Sequence, residues 1–227
     1  MAQPGKTYMD DTEASAEGCR RCGSCCEEGG PALHFEDLDK IKSGKLPKSS
    51  LITIRKGELV HNPTKQGVWP AGVELIKLRG TGNTWCCCYY NRDTGCTIYD
   101  FRPHACRVLT CWDTAEIMAI MEKNTLDRLS IMEEDDELVP YIKEHEQQCS
   151  LAFLQNLLED KSAVSASEKK RIEGLVNFDL LFRDGVVRQY HLNLEEELFY
   201  FGRPLFQLLQ PLGIGIHQHK GRLGLDW

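Results

Sequence analysis

Four cysteines lie within eight residues in the stretch Cys19-Arg-Arg-Cys-Gly-Ser-Cys-Cys26. A second group follows about sixty residues later and consists of Cys86, Cys87, Cys88, Cys96, Cys106 and Cys111. These two groups hold all but one of the 11 cysteines in the chain. Thiolates are the soft ligands that zinc, iron and iron–sulfur clusters accept in proteins. The pattern therefore predicts a metal–thiolate centre.

The composition is that of an ordinary globular protein, with 227 residues, of which 41% are hydrophobic and 27% charged. No apolar run approaches the roughly 18 residues that a membrane span needs. The polar, acidic start at Met1 does not have the pattern of a secretory signal. We therefore expect a cytoplasmic protein with no membrane partner, in which clustered cysteines bind metal rather than form disulfides.

Charge is unevenly distributed along the chain. Residues 1–112 carry a net charge of +2 and residues 113–227 a net charge of −9, which together give −7. A mildly basic surround suits an anionic thiolate site. The acidic second half argues against nucleic acid as a partner, because no basic stripe with interleaved aromatic residues occurs. That half is a candidate surface for a protein partner.

The chain divides into three parts. Residues 1–17 are polar and acidic without periodicity, which predicts a disordered tail. Residues 18–113 form a cysteine-rich module, and residues 114–227 form a mostly helical extension that ends in a short hairpin. The predicted fold class is α+β, mainly α, with a small metal-binding module carrying short hairpins and a helical C-terminal extension.

Residue patterns predict the local elements. Helices are expected over residues 35–43, directly after Pro103, and over 114–121, 138–158, 167–182 and 205–209. Strands are expected over residues 51–55, 73–78, 85–90 and 96–99, and in a terminal hairpin that turns at Lys220-Gly221.

Spacing constrains which thiols share a metal. A Cys-x2-Cys turn lets both sulfurs reach one metal at about 2.3 Å. The side chains of Cys25 and Cys26 diverge, so more than one metal, or a cluster, is favoured over a single zinc. In a strand, Cys86 and Cys88 would share one face while Cys87 takes the other.

The motifs at Cys19–Cys26 and at Cys96-Thr-Ile-Tyr-Asp-Phe-Arg-Pro-His-Ala-Cys106-Arg resemble the YkgJ-type CxxCxxCC cysteine-cluster family. The stretch from Cys106 to Asp113 resembles a bacterial subgroup. This resemblance spans roughly residues 18–113 and implies chelation of zinc or iron. Bacterial flagellin lysine methylases carry a similar cluster, which implies an iron–sulfur cofactor such as 4Fe-4S, although this chain is too short to be one.

The resemblance implies eight metal ligands: Cys19, Cys22, Cys25, Cys26, Cys87, Cys96, Cys106 and Cys111. It leaves Cys86 and Cys88 as additional candidates only. His145 and Cys149 have the i, i+4 spacing of a helical metal pair, which a partly buried helix face explains equally well. Tyr99 and Arg102 fall in the family's Ile-Tyr-x-x-Arg-Pro element, where Arg102 either donates to cluster sulfur or braces the turn.

Three hypotheses for the function follow. The leading one is a cytoplasmic metal-binding protein that chelates zinc or iron, as ions or as an iron–sulfur cluster. The alternative is an iron–sulfur-dependent enzyme of redox or protein-modification (methylase-like) chemistry. The sequence motifs leave open whether the protein is an enzyme, and no catalytic residue is predicted. In the third hypothesis, the metal only stabilises the fold, and the acidic helices bind a partner protein.

Overall fold

The computed structural model describes residues 19–62, 67–82, 84–219 and 221–227. The predicted tail, residues 1–17, lies outside the described residues. The first part of the chain is built from short elements, in the order α1 Ser24–Glu28, α2 Leu38–Lys42, β1 Leu51–Ile54, β2 Leu59–His61, β3 Val68–Pro70, β4 Leu75–Leu78, β5 Tyr90–Asn91, β6 Gly95–Cys96 and α3 His104–Val108.

Helices dominate the remainder. They are α4 Ala115–Ile120, α5 Arg128–Ile131, α6 Val139–Gln148, α7 Ala152–Asp160, α8 Ala166–Tyr190, α9 Leu194–Phe201 and α10 Leu205–Leu209, and they precede a terminal hairpin of β7 Gly215–His219 and β8 Arg222–Asp226. Small antiparallel strand pairs beside predominant helix confirm the α+β, mainly α class.

The pair β1–β4 positions the site. It is antiparallel, with Ile52 opposite Lys77 and Ile54 opposite Leu75. Ala32 forms a bridge to Lys77 from the other side, so β4 is hydrogen-bonded along both edges. Because side chains alternate along a strand, these four paired residues of β1 and β4 share one face.

Two hydrophobic cores hold the fold together. The first packs β1 and β4 against α6 and α9, with Leu51, Ile76 and Phe199 fully buried. This core includes residues from both the predicted cysteine-rich module, residues 18–113, and the predicted helical extension, residues 114–227. The second core lies among α7, α8, α10 and β8, where Val176 and Leu205 are fully buried.

Buried arginines link these elements. Arg55 on the β1–β2 turn donates Nε and Nη2 to the two carboxylate oxygens of Glu146, at 2.7 and 2.9 Å. Arg128 also donates to Glu146, and to Glu74. Arg55 Nη1 has no hydrogen-bond partner among the described residues, but Glu146 on α6 pairs with both arginines, so the network fixes α6 against the β1–β4 pair.

Several predicted boundaries are wrong. Residues 85–89 are not a continuous strand: Cys87 forms only an isolated bridge to Gly80, and Tyr90 N–H donates to the Cys87 carbonyl, which closes a turn. Thr97–Tyr99 leave the strand after Cys96, and Tyr99–Phe101 form a 3₁₀ turn.

The helix predicted over residues 138–158 is interrupted between α6 and α7. Cys149 ends α6, and the Ser150 hydroxyl accepts a hydrogen bond from Ala152 N–H at the start of α7. Conversely, α8 extends past residue 182 to Tyr190. The sequence analysis missed α9, whose capping box joins Asn193 to Glu196.

Candidate metal centre

Gly23 shapes the first cysteine loop. Its φ of +82° lies in the left-handed region, just before α1. A Cβ at this position would lie 1.9 Å from the Tyr90 hydroxyl oxygen. The loop therefore packs directly on β5, in the second cysteine group, and only glycine satisfies both the conformation and the contact.

Two hydrogen bonds join the cysteine groups. Cys87 N–H donates to the Cys26 carbonyl at 2.8 Å. The Tyr99 hydroxyl donates to the Cys19 carbonyl at 3.5 Å. The guanidinium groups of Arg21 and Arg102 lie 3.8 and 4.0 Å from the centroid of the Tyr99 ring. Tyr99 thus holds two cations beside the thiols by cation–π contact.

Four cysteines form an inner set, defined as Cys26, Cys87, Cys96 and Cys106. Burial raises the pKa of the Cys106 thiol to about 12, and negative charge on three neighbouring thiols contributes: Cys87, Cys25 and Cys96. A hydrogen bond to Cys25, then burial, raises the pKa of Cys26, and the charges of Cys87 and Cys96 again contribute. The inner thiols therefore lie close enough to affect one another's ionisation.

The remaining four of the eight cysteines predicted as ligands form an outer set, defined as Cys19, Cys22, Cys25 and Cys111. Cys22 and Cys111 are exposed. Slight burial raises the pKa of Cys111, and charge on the other outer thiols contributes, in the order Cys25, Cys22 and Cys19. Hydrogen bonds from Ser24 lower the pKa of Cys22. Cys25 also contacts the inner set, since a hydrogen bond from the Cys26 thiol lowers the pKa of Cys25 to about 6.

The remaining members of the triplet are placed differently. Cys88 forms a hydrogen bond with the Cys87 thiol and donates to the Ser50 carbonyl at 3.8 Å. Neither Cys86 nor Cys88 lines the cavity described next. Cys19, Cys22 and Cys111 do not line it either, so the division of the ten clustered cysteines into eight ligands and two others stays a prediction.

A cavity of about 920 Å³ adjoins the thiols. Five cysteines line it, Cys25 and the inner set, and apolar side chains from β4 and α4 line much of the rest. Volumes of roughly 300–1,000 Å³ are usual for small-molecule sites. The thiols therefore open onto a space larger than a metal centre alone requires.

Arg102 provides a test of whether this site fits a metal–thiolate group. Its Nη1 donates to the Tyr99 carbonyl at 2.9 Å, but its buried Nε has no hydrogen-bond partner among the described residues. Its charge lowers the pKa of Cys96, although burial raises that pKa more. An unpaired donor beside several thiols fits a site that gains negative charge when the thiols ionise to bind metal.

His145 and Cys149 lie elsewhere, between α6 and α8. A third residue, Asp179, joins them, and one potential ligand atom from each lies within 4.8 Å of the others. His145 Nε2 is 2.7 Å from Asp179 Oδ1, Arg183 Nε donates to the same oxygen at 2.8 Å, and Leu205 N–H donates to Oδ2 at 2.8 Å. Because both carboxylate oxygens are occupied and an arginine adjoins them, the contacts favour a structural role; metal binding at this pair stays a prediction.

Sequence reasoning missed Asp179 and Lys77. Asp179 is fully buried on α8, in a stretch whose only sequence signal is an isolated acid between apolar residues. Lys77 interrupts the apolar strand β4 and lines the cavity. For Lys77, the available sequence signal was a charged residue inside a short apolar strand.

The fold and the thiol arrangement define a protein of the cysteine-cluster, metal-chelating class. The chain belongs to the CxxCxxCC family, described as "Putative zinc- or iron-chelating domain", whose model matches residues 18–149. This match confirms the resemblance and extends it beyond residue 113. No curated protein and no solved structure matches the chain. Among the described residues, no helix has the length and apolar character needed to cross a bilayer.

Proposed function

We propose that this protein holds iron or zinc in a polynuclear thiolate centre made from the eight cysteines of the inner and outer sets. The observation that carries the proposal is that thiols from two distant segments lie near one another: Cys87 N–H donates to the Cys26 carbonyl, and charge on Cys25 contributes to raising the pKa of thiols in both segments, Cys26 in the first and Cys87, Cys106 and Cys111 in the second. A tetrahedral centre uses four cysteine ligands, so eight ligands provide for two metal ions or for a cluster. The adjacent positions of Cys25 and Cys26 place one ligand in each set.

The chemistry of the donor set supports this proposal. Several inner thiols have raised pKa values and are protonated at neutral pH without metal. A bound cation would displace these protons and replace the repulsion between thiolates with metal–sulfur bonds. Arg102 and Arg21 would offset the remaining negative charge. Zinc and iron–sulfur clusters both accept such ligands.

A second candidate function is catalysis at that centre, with redox or protein-modification chemistry. The cavity favours it, because a purely structural metal site needs no adjoining space of this size. Within that function, the chain's own residues would bind and orient a substrate in the cavity. Metal supplied there would act as a Lewis acid or an electron carrier.

Anaerobic purification followed by metal analysis and visible absorption spectroscopy tests the proposal. We expect two or more metal ions per chain; iron with inorganic sulfide and a visible absorption band would identify a cluster. Two zinc ions per colourless chain would retain the polynuclear centre and exclude the cluster. A protein that takes up at most one metal ion per chain after reconstitution with zinc or iron would refute the proposal.

A further inference from the structure

Lys77 presents a cation to the cavity without a protein partner. It is partly buried on β4, and its ammonium forms no hydrogen bond or ion pair with the residues that the structure describes. Burial and then the charge of Arg203 lower the pKa of Lys77, and the charge of the fully buried Glu58 only partly opposes them. Glu58 already accepts hydrogen bonds from Arg203 Nε at 2.8 Å and from Arg55 N–H at 3.1 Å.

The immediate surroundings of Lys77 therefore carry excess positive charge. Arg203 and Glu58 form an ion pair with a distance of 2.5 Å, which leaves the Lys77 charge uncompensated. Two other acids line the cavity, Glu28 and Glu122, but both are exposed and neither pairs with Lys77. Charges in apolar surroundings are normally paired, because desolvation is costly. An anionic ligand would complete this site.

The cavity wall next to Lys77 on the β1–β4 face, and the part contributed by α4, are apolar. Ile54 and Leu75 share the β1–β4 face with Lys77. Helix α4 contributes Ile117 and Met118, whose flexible thioether adapts to different shapes. Around Lys77 the cavity thus combines a cation with extended apolar surface, which is the pattern of a site for an amphipathic anion.

We propose that the cavity binds a long-chain carboxylate, with its head group on Lys77 and its alkyl chain along the apolar wall of β1, β4 and α4. A carboxylate matches the single charge of Lys77, because the other cation of the lining without an ion pair among the described residues, Arg102, lies beside the thiols and acts on Cys96. A phosphate monoester carries about two negative charges near neutral pH and would leave one unpaired. The proposal adds a ligand site beside the thiols and does not depend on which metal they hold.

The test measures binding of dodecanoate to the metal-loaded protein by calorimetry. Methyl dodecanoate and dodecyl phosphate serve as comparison ligands of equal chain length. We expect saturable binding of dodecanoate, with each comparison ligand roughly 10-fold weaker or more, because the ester loses a charge-assisted hydrogen bond and the phosphate carries unpaired charge. Equal affinity for the ester, tighter binding of the phosphate, or no binding of dodecanoate would overturn the proposal.

Two variants locate the head group. Lys77→Met keeps the length of the side chain and removes the charge, so it should weaken dodecanoate roughly 10-fold and leave the ester unchanged. Lys56→Met removes an exposed lysine on the neighbouring β1–β2 turn and should change neither. Unchanged dodecanoate affinity in Lys77→Met would contradict the assignment. If that variant does not fold, the ligand comparison on the unmodified chain still decides.

Metal content measured on the same samples separates this proposal from the preceding one. Lys77→Met should retain the full metal content. Dodecanoate binding by a protein that takes up at most one metal ion per chain after reconstitution would refute the proposed metal centre alone, and full metal content without dodecanoate binding would refute the ligand site alone.

Discussion

Cys87 N–H donates to the carbonyl oxygen of Cys26 at 2.8 Å, across about sixty residues of sequence. This hydrogen bond joins the first cysteine loop to the second group and places both residues in the inner set. It explains how a centre can form from two segments that are distant along the chain. It also explains why Cys87, rather than its neighbours in the triplet, lines the cavity.

Replacing one inner thiol should reduce metal content sharply. In Cys106→Ser the hard hydroxyl is a poor substitute for a thiolate ligand, so we expect loss of at least one metal ion per chain. The measurement is metal analysis after anaerobic purification. The matched control is Cys86→Ser, which lies outside the cavity and should retain the full metal content. Equal metal loss in both variants would show that the eight-ligand assignment is wrong.

Gly23→Ala should weaken metal binding and stability together. An alanine in the left-handed conformation costs about 1–2 kcal/mol, and its Cβ would overlap the Tyr90 hydroxyl. Gly44→Ala provides the control, because Gly44 has a φ of +76° but no atom within 4 Å of the added Cβ. Thermal unfolding and metal titration should both show the larger effect for Gly23→Ala. A larger loss for Gly44→Ala would contradict the packing described for the loop.

Arg102→Gln should move metal binding to higher pH. The Arg102 charge lowers the pKa of Cys96, and without it the thiol releases its proton less readily to a metal. Competition with a chelator between about pH 6 and 8 measures this shift. Arg107→Gln, which alters an exposed arginine nearby, should leave the pH profile unchanged. Coincident profiles for Arg102→Gln and the parent protein would assign Arg102 a purely structural role.

Asp179→Asn should destabilise the fold without changing metal content. Breaking a buried charge pair costs about 3–5 kcal/mol, and we expect a loss near the lower end because Arg183 keeps its ion pair with Glu197 at 3.1 Å. Denaturant unfolding of the metal-loaded variant measures the loss, with exposed Asp184→Asn as the control. A fall in metal content together with preserved stability would indicate that Asp179, His145 and Cys149 bind metal.

The same carboxylate predicts sensitivity to acid. Burial opposes its charged form, but the His145 hydrogen bond and the charge of Arg183 outweigh burial and hold the pKa of Asp179 at about 2. Because this pKa is below the ordinary value of 3.8, the contribution of Asp179 to stability is fully present above about pH 4. It should be lost as the pH falls towards 2, and Asp179→Asn should flatten that part of the stability profile.

The sequence was most informative where one residue type determines the chemistry. The family motif predicted the CxxCxxCC family, which the family match over residues 18–149 confirms, and five of the eight cysteines that it implied as ligands line one cavity. Periodicity also located β1, β4 and the terminal hairpin, because local alternation is sufficient to predict them.

Long-range contacts limited the prediction elsewhere. Cys87 pairs with Gly80 in an isolated bridge, and Cys88 N–H donates to the Arg79 carbonyl, contacts that no local pattern indicates. Asp179 and Lys77 acquire their significance from residues that are distant in sequence, namely His145 and the cavity wall. By contrast, the capping box at Asn193 was a local signal for α9 that the sequence analysis did not use.

Differential alkylation tests the central claim most directly. The metal-loaded protein and a chelator-treated sample are exposed to a thiol reagent under native conditions, and modification is mapped by mass spectrometry. The account predicts that metal protects the eight cysteines of the inner and outer sets, including the exposed Cys22 and Cys111, while Cys86 reacts equally in both samples. Equal reaction of Cys22 and Cys111 with and without metal, and no metal released on their alkylation, would contradict it.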